Sequence, residues 1–192
     1  MLDSNRVAAI ARQFHDSFDG QAAKSLELIV QLLECSPAPF CRDQFTPGHI
    51  TTSGMVIAPD RSRILIVHHG RLDRWLLPGG HVESSDPTIT EASRREVVEE
   101  TCALLTHDVI FAGADVHGIP AARGEPYHLH HDLLFTFRAT SEELQVSEES
   151  HAVAWCSPEE FDRYGIPGNV RRAYARVLSA LPVSPPSPRN CA

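Results

Sequence analysis

The sequence predicts an α/β protein of the α+β kind, with an N-terminal helical extension in front of the main domain. Three observations predict it. Residues 1 to about 34 carry apolar side chains at three- and four-residue spacing. Short apolar runs divided by turn sequences begin near residue 50. Helical patterns return at about 88–101 and again near the C-terminus, so strands and helices share one domain.

In the extension, Val7, Ile10, Phe14 and Phe18 and then Leu26, Ile29, Val30 and Leu33 recur at helical spacing, and Gly20 separates the two helices. Ser36-Pro37-Ala38-Pro39 breaks the pattern and reads as a linker. The predicted organisation is an extension and linker over 1–45, a main domain over 46–181 and a proline-rich disordered tail over 182–192. In the main domain, Met55-Val56-Ile57 and Ile64-Leu65-Ile66-Val67 flank the turn sequence Ala58–Ser62 and read as a hairpin. Trp75-Leu76-Leu77 is a third strand, stopped by Pro78 and a glycine turn at Gly79-Gly80. Later strands are expected at Val109–Phe111, Leu133–Phe137 and Ala152–Trp155. Ser157-Pro158-Glu159-Glu160 has the cap, first-turn proline and acids of a helix start. A final helix carries Val170, Ala173, Tyr174, Val177 and Leu181.

A formal charge of -8 argues against attraction to a nucleic-acid backbone. It also repels a phosphorylated small molecule unless bound cations reverse the sign locally. No apolar run is long enough to span a bilayer, and the opening MLDSNRVAAIARQ lacks the apolar core of a signal peptide. Five cysteines without a C-x-x-C pair read as reduced thiols, so a cytoplasmic location is expected.

The most informative segment is Gly79-Gly80-His81-Val82-Glu83 with Arg95-Glu96-Val97-Val98-Glu99-Glu100. Thr88-x-x-Glu91 forms a capping box, with Asp86 before Pro87 as a rival start. At about 100° per residue, Glu96, Glu99 and Glu100 share a face with Ile89, Ala92 and Ala103, while Glu91 and Arg94 take the solvent side. Like charges at this spacing repel by roughly 0.2–0.5 kcal/mol per exposed pair. Acids in the last turn also oppose the helix dipole. A hard divalent cation turns that repulsion into coordination. An isolated E-x-x-E-E would read as a solvated acidic surface; the glycine turn upstream, where backbone can approach a ligand, favours a site.

These residues resemble the Nudix box, G-x5-E-x7-R-E-U-x-E-E-x-G-U with U aliphatic. Gly80 matches its leading glycine, and Arg95, Glu96, Val97, Glu99 and Glu100 match its core. Three departures stand out: Asp86 replaces the first glutamate, one extra residue separates it from Arg95, and Cys102 stands where the family has glycine. The resemblance covers about residues 46–181 and implies the Nudix fold, a mixed β-sheet sandwiched between helices. It implies metal-dependent hydrolysis of a diphosphate bond in a nucleoside diphosphate-linked compound, with Mg²⁺ or Mn²⁺ as cofactor. By position, Glu96 and Glu100 become metal ligands, Glu99 a ligand or the group that positions water, and Gly80 the donor of a backbone carbonyl. Arg95 orients a carboxylate. For the general base the family implies a box glutamate or a later acid; Glu142, Glu143, Glu148 and Glu149 are candidates, each also readable as a solvated loop acid.

Substrate contacts are expected from His69, Arg74, His128 and Glu149, with His68, Arg71, Trp75 and Tyr127 as further candidates beside plain surface or core roles. His128, His130 and His131 invite a zinc reading, but no third and fourth ligands stand at convincing spacing, so substrate contact is preferred. The expected partner is a small phosphorylated molecule, without nucleic acid or membrane. The N-terminal helices are free to close the site or to form a homodimer. Two rival readings are an isopentenyl-type diphosphate isomerase on the same fold and a non-catalytic nucleotide-sensing module. The first lacks a cysteine–glutamate pair; the second would be expected to have lost box acids that are present.

Overall fold

The computed structural model describes residues 2–14, 20–70, 72–122, 124–146 and 150–180. Two helices, α1 (Ser4–Phe14) and α2 (Gly20–Cys35), precede strand β1 (Gly48–Ile57). Next come β2 (Ile64–His69), β3 (Arg74–Leu76), β4 (Gly79–His81) and helix α3 (Ile89–Thr101). The chain continues through β5 (Leu105–Ile119), β6 (His128–Ala139), β7 (Ser150–Cys156) and helix α4 (Gly168–Ala180). The seven strands form a mixed sheet in the order β3-β2-β1-β6-β5, with β4 added to β1 and β7 to β2. Among the described residues, only the β1–β6 pair is parallel.

Side chains alternate across a strand, and the two cores follow that alternation. Ile50, Val56, Leu65, Leu133, Phe135 and Phe137 join α1, α2 and α3 on one face. Met55, Ile57, Ile64, Ile66 and Leu134 join α4 on the other. The sheet is thus sandwiched between helices, as the resemblance implies. α1 and α2 supply Val7, Ala8, Ala11, Leu26, Ile29, Leu32 and Leu33 to the first core, and an Arg12–Glu34 ion pair joins them.

Three local expectations are corrected. Gly79 and Gly80 lie in a short strand, paired Ser53↔Gly79 and Thr52↔Gly80, rather than in a turn. A Cβ at Gly79 would stand 2.5 Å from the Thr52 carbonyl oxygen, so glycine is required by close strand approach. The Ser157 capping box opens only a 3-10 turn, Pro158–Glu160, not a full helix. The long strands β5 and β6 extend well beyond their apolar centres, because polar ends pair across the sheet. Cys35 and Cys41 are free thiols. No helix among the described residues is long and apolar enough to cross a membrane. The expected tail, Phe18 and Leu181 lie outside the described residues.

Candidate active site

Helix α3 is capped at Thr88, whose side-chain oxygen accepts from Glu91 N at 3.1 Å. It packs through Val97, which is fully buried, over Gly54 of β1. That seating sends Glu96, Glu99 and Glu100 toward β4, and all three line one cleft of about 1440 Å³. Glu100 is 7% exposed and accepts from the Gly79 N–H at 3.0 Å. A Cβ at Gly80 would stand 2.7 Å from Glu96 Oε2, so this carboxylate lies hard against the strand backbone. Glu99 is the open member of the set, its side chain 58% exposed. The helical projection is corrected for Arg94, which it sets on the solvent side. The Arg94 guanidinium lies over the Phe137 ring at 4.9 Å and donates to the Thr106 carbonyl at 2.9 Å.

Arg95 ties these groups together. It donates to Glu96 Oε1 at 3.0 Å, Glu99 Oε2 at 2.9 Å and the His81 carbonyl at 2.9 Å. It also makes two bonds of 3.0 Å to Asp86. Burial opposes ionisation of Asp86. The Arg95 hydrogen bonds and the Glu83 N–H, donated at 2.7 Å, outweigh it and hold the carboxyl below the usual range. At the far end of α3, Cys102 sits at φ 52°, ψ 20°, in the left-handed cap conformation that favours glycine.

The cleft's other walls come from strands and α4. Arg74, Arg172 and Arg176 bring positive charge, and Trp75 and Tyr164 meet edge to face at 5.0 Å. The floor carries Thr51, Asp115, His117, His130 and Asp132. Thr51 donates to Asp132 at 3.0 Å, and burial raises the Asp132 carboxyl above its ordinary value. Asp115 lies 2.9 Å from His117 Nδ1 and raises the affinity of that imidazole for its proton.

Of the residues expected from sequence, Gly80, Arg95, Glu96, Glu99, Glu100, His69 and Arg74 line this one cleft. His128 does not line it; it is 3% exposed, with Nδ1 2.9 Å from the Pro126 carbonyl. Glu142 is paired with Arg63 at 2.6 Å, and neither it nor Glu143 lines the cleft. Arg71, Glu148 and Glu149 lie outside the described residues. No cysteine among the described residues lines the cleft. Sequence reasoning missed Asp115, His117, Asp132, Arg172 and Tyr164. The only local signal was the alternation of His128, His130 and Asp132.

Three carboxylates and the carbonyl groups of a glycine strand are oxygen donors suited to a hard divalent cation. The crowding of Glu96 against the Gly80 backbone leaves those donors gathered at one place.

Comparison with known proteins agrees. Residues 48–179 match the NUDIX domain, more than half of the chain, and the chain belongs to that family. Nudix enzymes in general hydrolyse pyrophosphate bonds of nucleotide-linked compounds and use divalent metals. The fold is similar to the Nudix domain of Shewanella oneidensis NrtR complexed with ADP-ribose, at TM-score 0.51 and 15% identity over 68% of this chain and 87% of that one. It is similar to a Caenorhabditis elegans Ap4A hydrolase at TM-score 0.51 and 15% identity, over 69% of this chain and 98% of that one. A Nudix-family hydrolase from Clostridium perfringens gives TM-score 0.50 and 21% identity over 68% and 97%. No curated protein sequence matches the chain.

Proposed function

We propose that the protein is a metal-dependent diphosphohydrolase that cleaves the diphosphate bridge of a nucleoside diphosphate-linked compound by water attack at phosphorus. The observation that carries this reading is the gathering of Glu96, Glu99, Glu100 and Arg95 against the Gly79-Gly80 strand, in a cleft whose facing walls hold arginines and aromatic rings.

Glu96 and Glu100, with the Gly80 carbonyl, would hold Mg²⁺, or Mn²⁺ in its place. When bound, such an ion polarises phosphate oxygens and lowers the pKa of water. Arg95 keeps Glu96 and Glu99 in fixed orientation by charge-assisted hydrogen bonds. Glu99, the exposed carboxylate, is placed to orient the attacking water and accept its proton. Arg74 and Arg172 offset the charge of the phosphates. Trp75 and Tyr164 offer ring faces and edges to a base.

The test is a panel of nucleoside diphosphate derivatives, beginning with ADP-ribose and Ap4A, incubated with Mg²⁺ and the protein or its Glu100→Gln variant. Products are identified by mass. The expected result is cleavage at a phosphoanhydride by the parent and at least a hundredfold slower cleavage by the variant. Absence of metal-dependent cleavage across the panel would overturn the reading.

A further inference from the structure

Beside the carboxylate site lies a second group of residues that diphosphate hydrolysis does not use. The sheet register sets His117, His130 and His49 in one row across β5, β6 and β1, and β4 adds His81. Ring centroids of His49 stand 4.9 Å from His130 and 5.0 Å from His81, and those of His81 and His130 stand 5.4 Å apart. One ring nitrogen from each of His49, His81 and His130 lies within 4.8 Å of the others.

We propose that His49, His81 and His130 form a binding site for a borderline divalent transition-metal ion such as Zn²⁺, separate in chemistry from the carboxylate site.

His49 is 1% exposed and its Nε2 has no hydrogen-bond partner. Its Nδ1 lies 3.2 Å from the Gln44 carbonyl, which accepts the ring proton and leaves Nε2 with a lone pair aimed at its neighbours. A backbone carbonyl on one ring nitrogen is the arrangement that orients a metal-bound imidazole. Three nitrogens at about 2.1 Å from zinc stand about 3.4 Å apart in a tetrahedron, so rotation of the side chains by about an ångström closes the set. His81 and His130 line the cleft, so the fourth position faces it. Imidazole ligands select zinc, copper or nickel, whereas magnesium takes oxygen. Of the three histidines that the sequence suggested for zinc, only His130 takes part; His131 points to the opposite face of β6.

The test titrates metal-free full-length protein with Co²⁺, in buffer holding excess Mg²⁺ to fill the carboxylate site. Visible absorption is recorded, because tetrahedral Co²⁺ absorbs far more strongly than octahedral Co²⁺. The expected result is an intense band that saturates at one equivalent and is abolished by Zn²⁺. His130→Gln and His81→Gln each weaken Co²⁺ binding at least tenfold, while Glu96→Gln leaves it unchanged. Absence of an intense band in the parent, loss of the band in Glu96→Gln, or its survival in both histidine variants would overturn the proposal. Circular dichroism of the metal-free variants checks that they fold, and the parent spectrum decides the matter even where they do not.

Discussion

Arg95 grips Asp86 with two parallel hydrogen bonds, Nε to Oδ1 and Nη2 to Oδ2, each 3.0 Å long. Asp86 is 4% exposed and the Arg95 side chain 20%, so the fork is part-buried rather than a surface ion pair. The aspartate is one methylene shorter than the glutamate of the Nudix box, and the extra residue before Arg95 leaves it able to reach the guanidinium.

Removing the Asp86 carboxylate takes two charge-assisted hydrogen bonds from Arg95, which keeps those to Glu96 and Glu99. Asp86→Ala is expected to cost about 2 kcal/mol of stability, measured by urea unfolding. It is also expected to slow turnover, because Arg95 loses the anchor that aims it at Glu96 and Glu99.

The same pair sets an acid limb. The folded-state pKa of Asp86 lies below the ordinary 3.8, so the unfolded chain binds the proton more readily. The contribution is fully present above the unfolded pKa and is lost as pH falls through the folded value. Asp86→Asn is expected to flatten stability below pH about 4, checked by unfolding at a series of acid pH values.

Gly79 and Gly80 should respond differently to alanine. At Gly80 the new Cβ meets the far end of the Glu96 side chain, at 2.7 Å, which can shift by giving up its place beside Arg95. Gly80→Ala is expected to keep stability within about 1 kcal/mol while lowering kcat at least tenfold and weakening Mg²⁺. At Gly79 the Cβ meets the Thr52 backbone at 2.5 Å, which cannot move alone, so Gly79→Ala loses stability as well. Melting temperatures beside kinetics separate the two.

Cys102 holds a left-handed conformation at φ 52°. Relief of that strain predicts that Cys102→Gly stabilises the protein by about 1 kcal/mol. A raised melting temperature with unchanged kcat/KM is the expected outcome.

What could be read from sequence was local. Glu96, Glu99 and Glu100 are close along one helix, and helical periodicity together with the box named them. Cys102 could be flagged because a glycine is expected there. His130 stood out beside His128 and His131, but it could not be joined to His49 and His81, because only strand register brings together positions so far apart in the chain. The helix projection also failed for Arg94, since its long stem reaches back over Phe137. Glycines 79 and 80 read as a turn because the signal for a turn and for close strand contact is the same residue.

The helices before residue 48 lie outside the matched segment, yet Leu26, Ile29 and Leu33 share a core with Leu133 and Phe135. At the start of the same helix, Gln21 and Ala22 line the cleft. A chain trimmed to the family segment would therefore expose a wall of aliphatic and aromatic side chains and strip two residues from the lining of the cleft. In this protein the added helices are masonry and door frame at once.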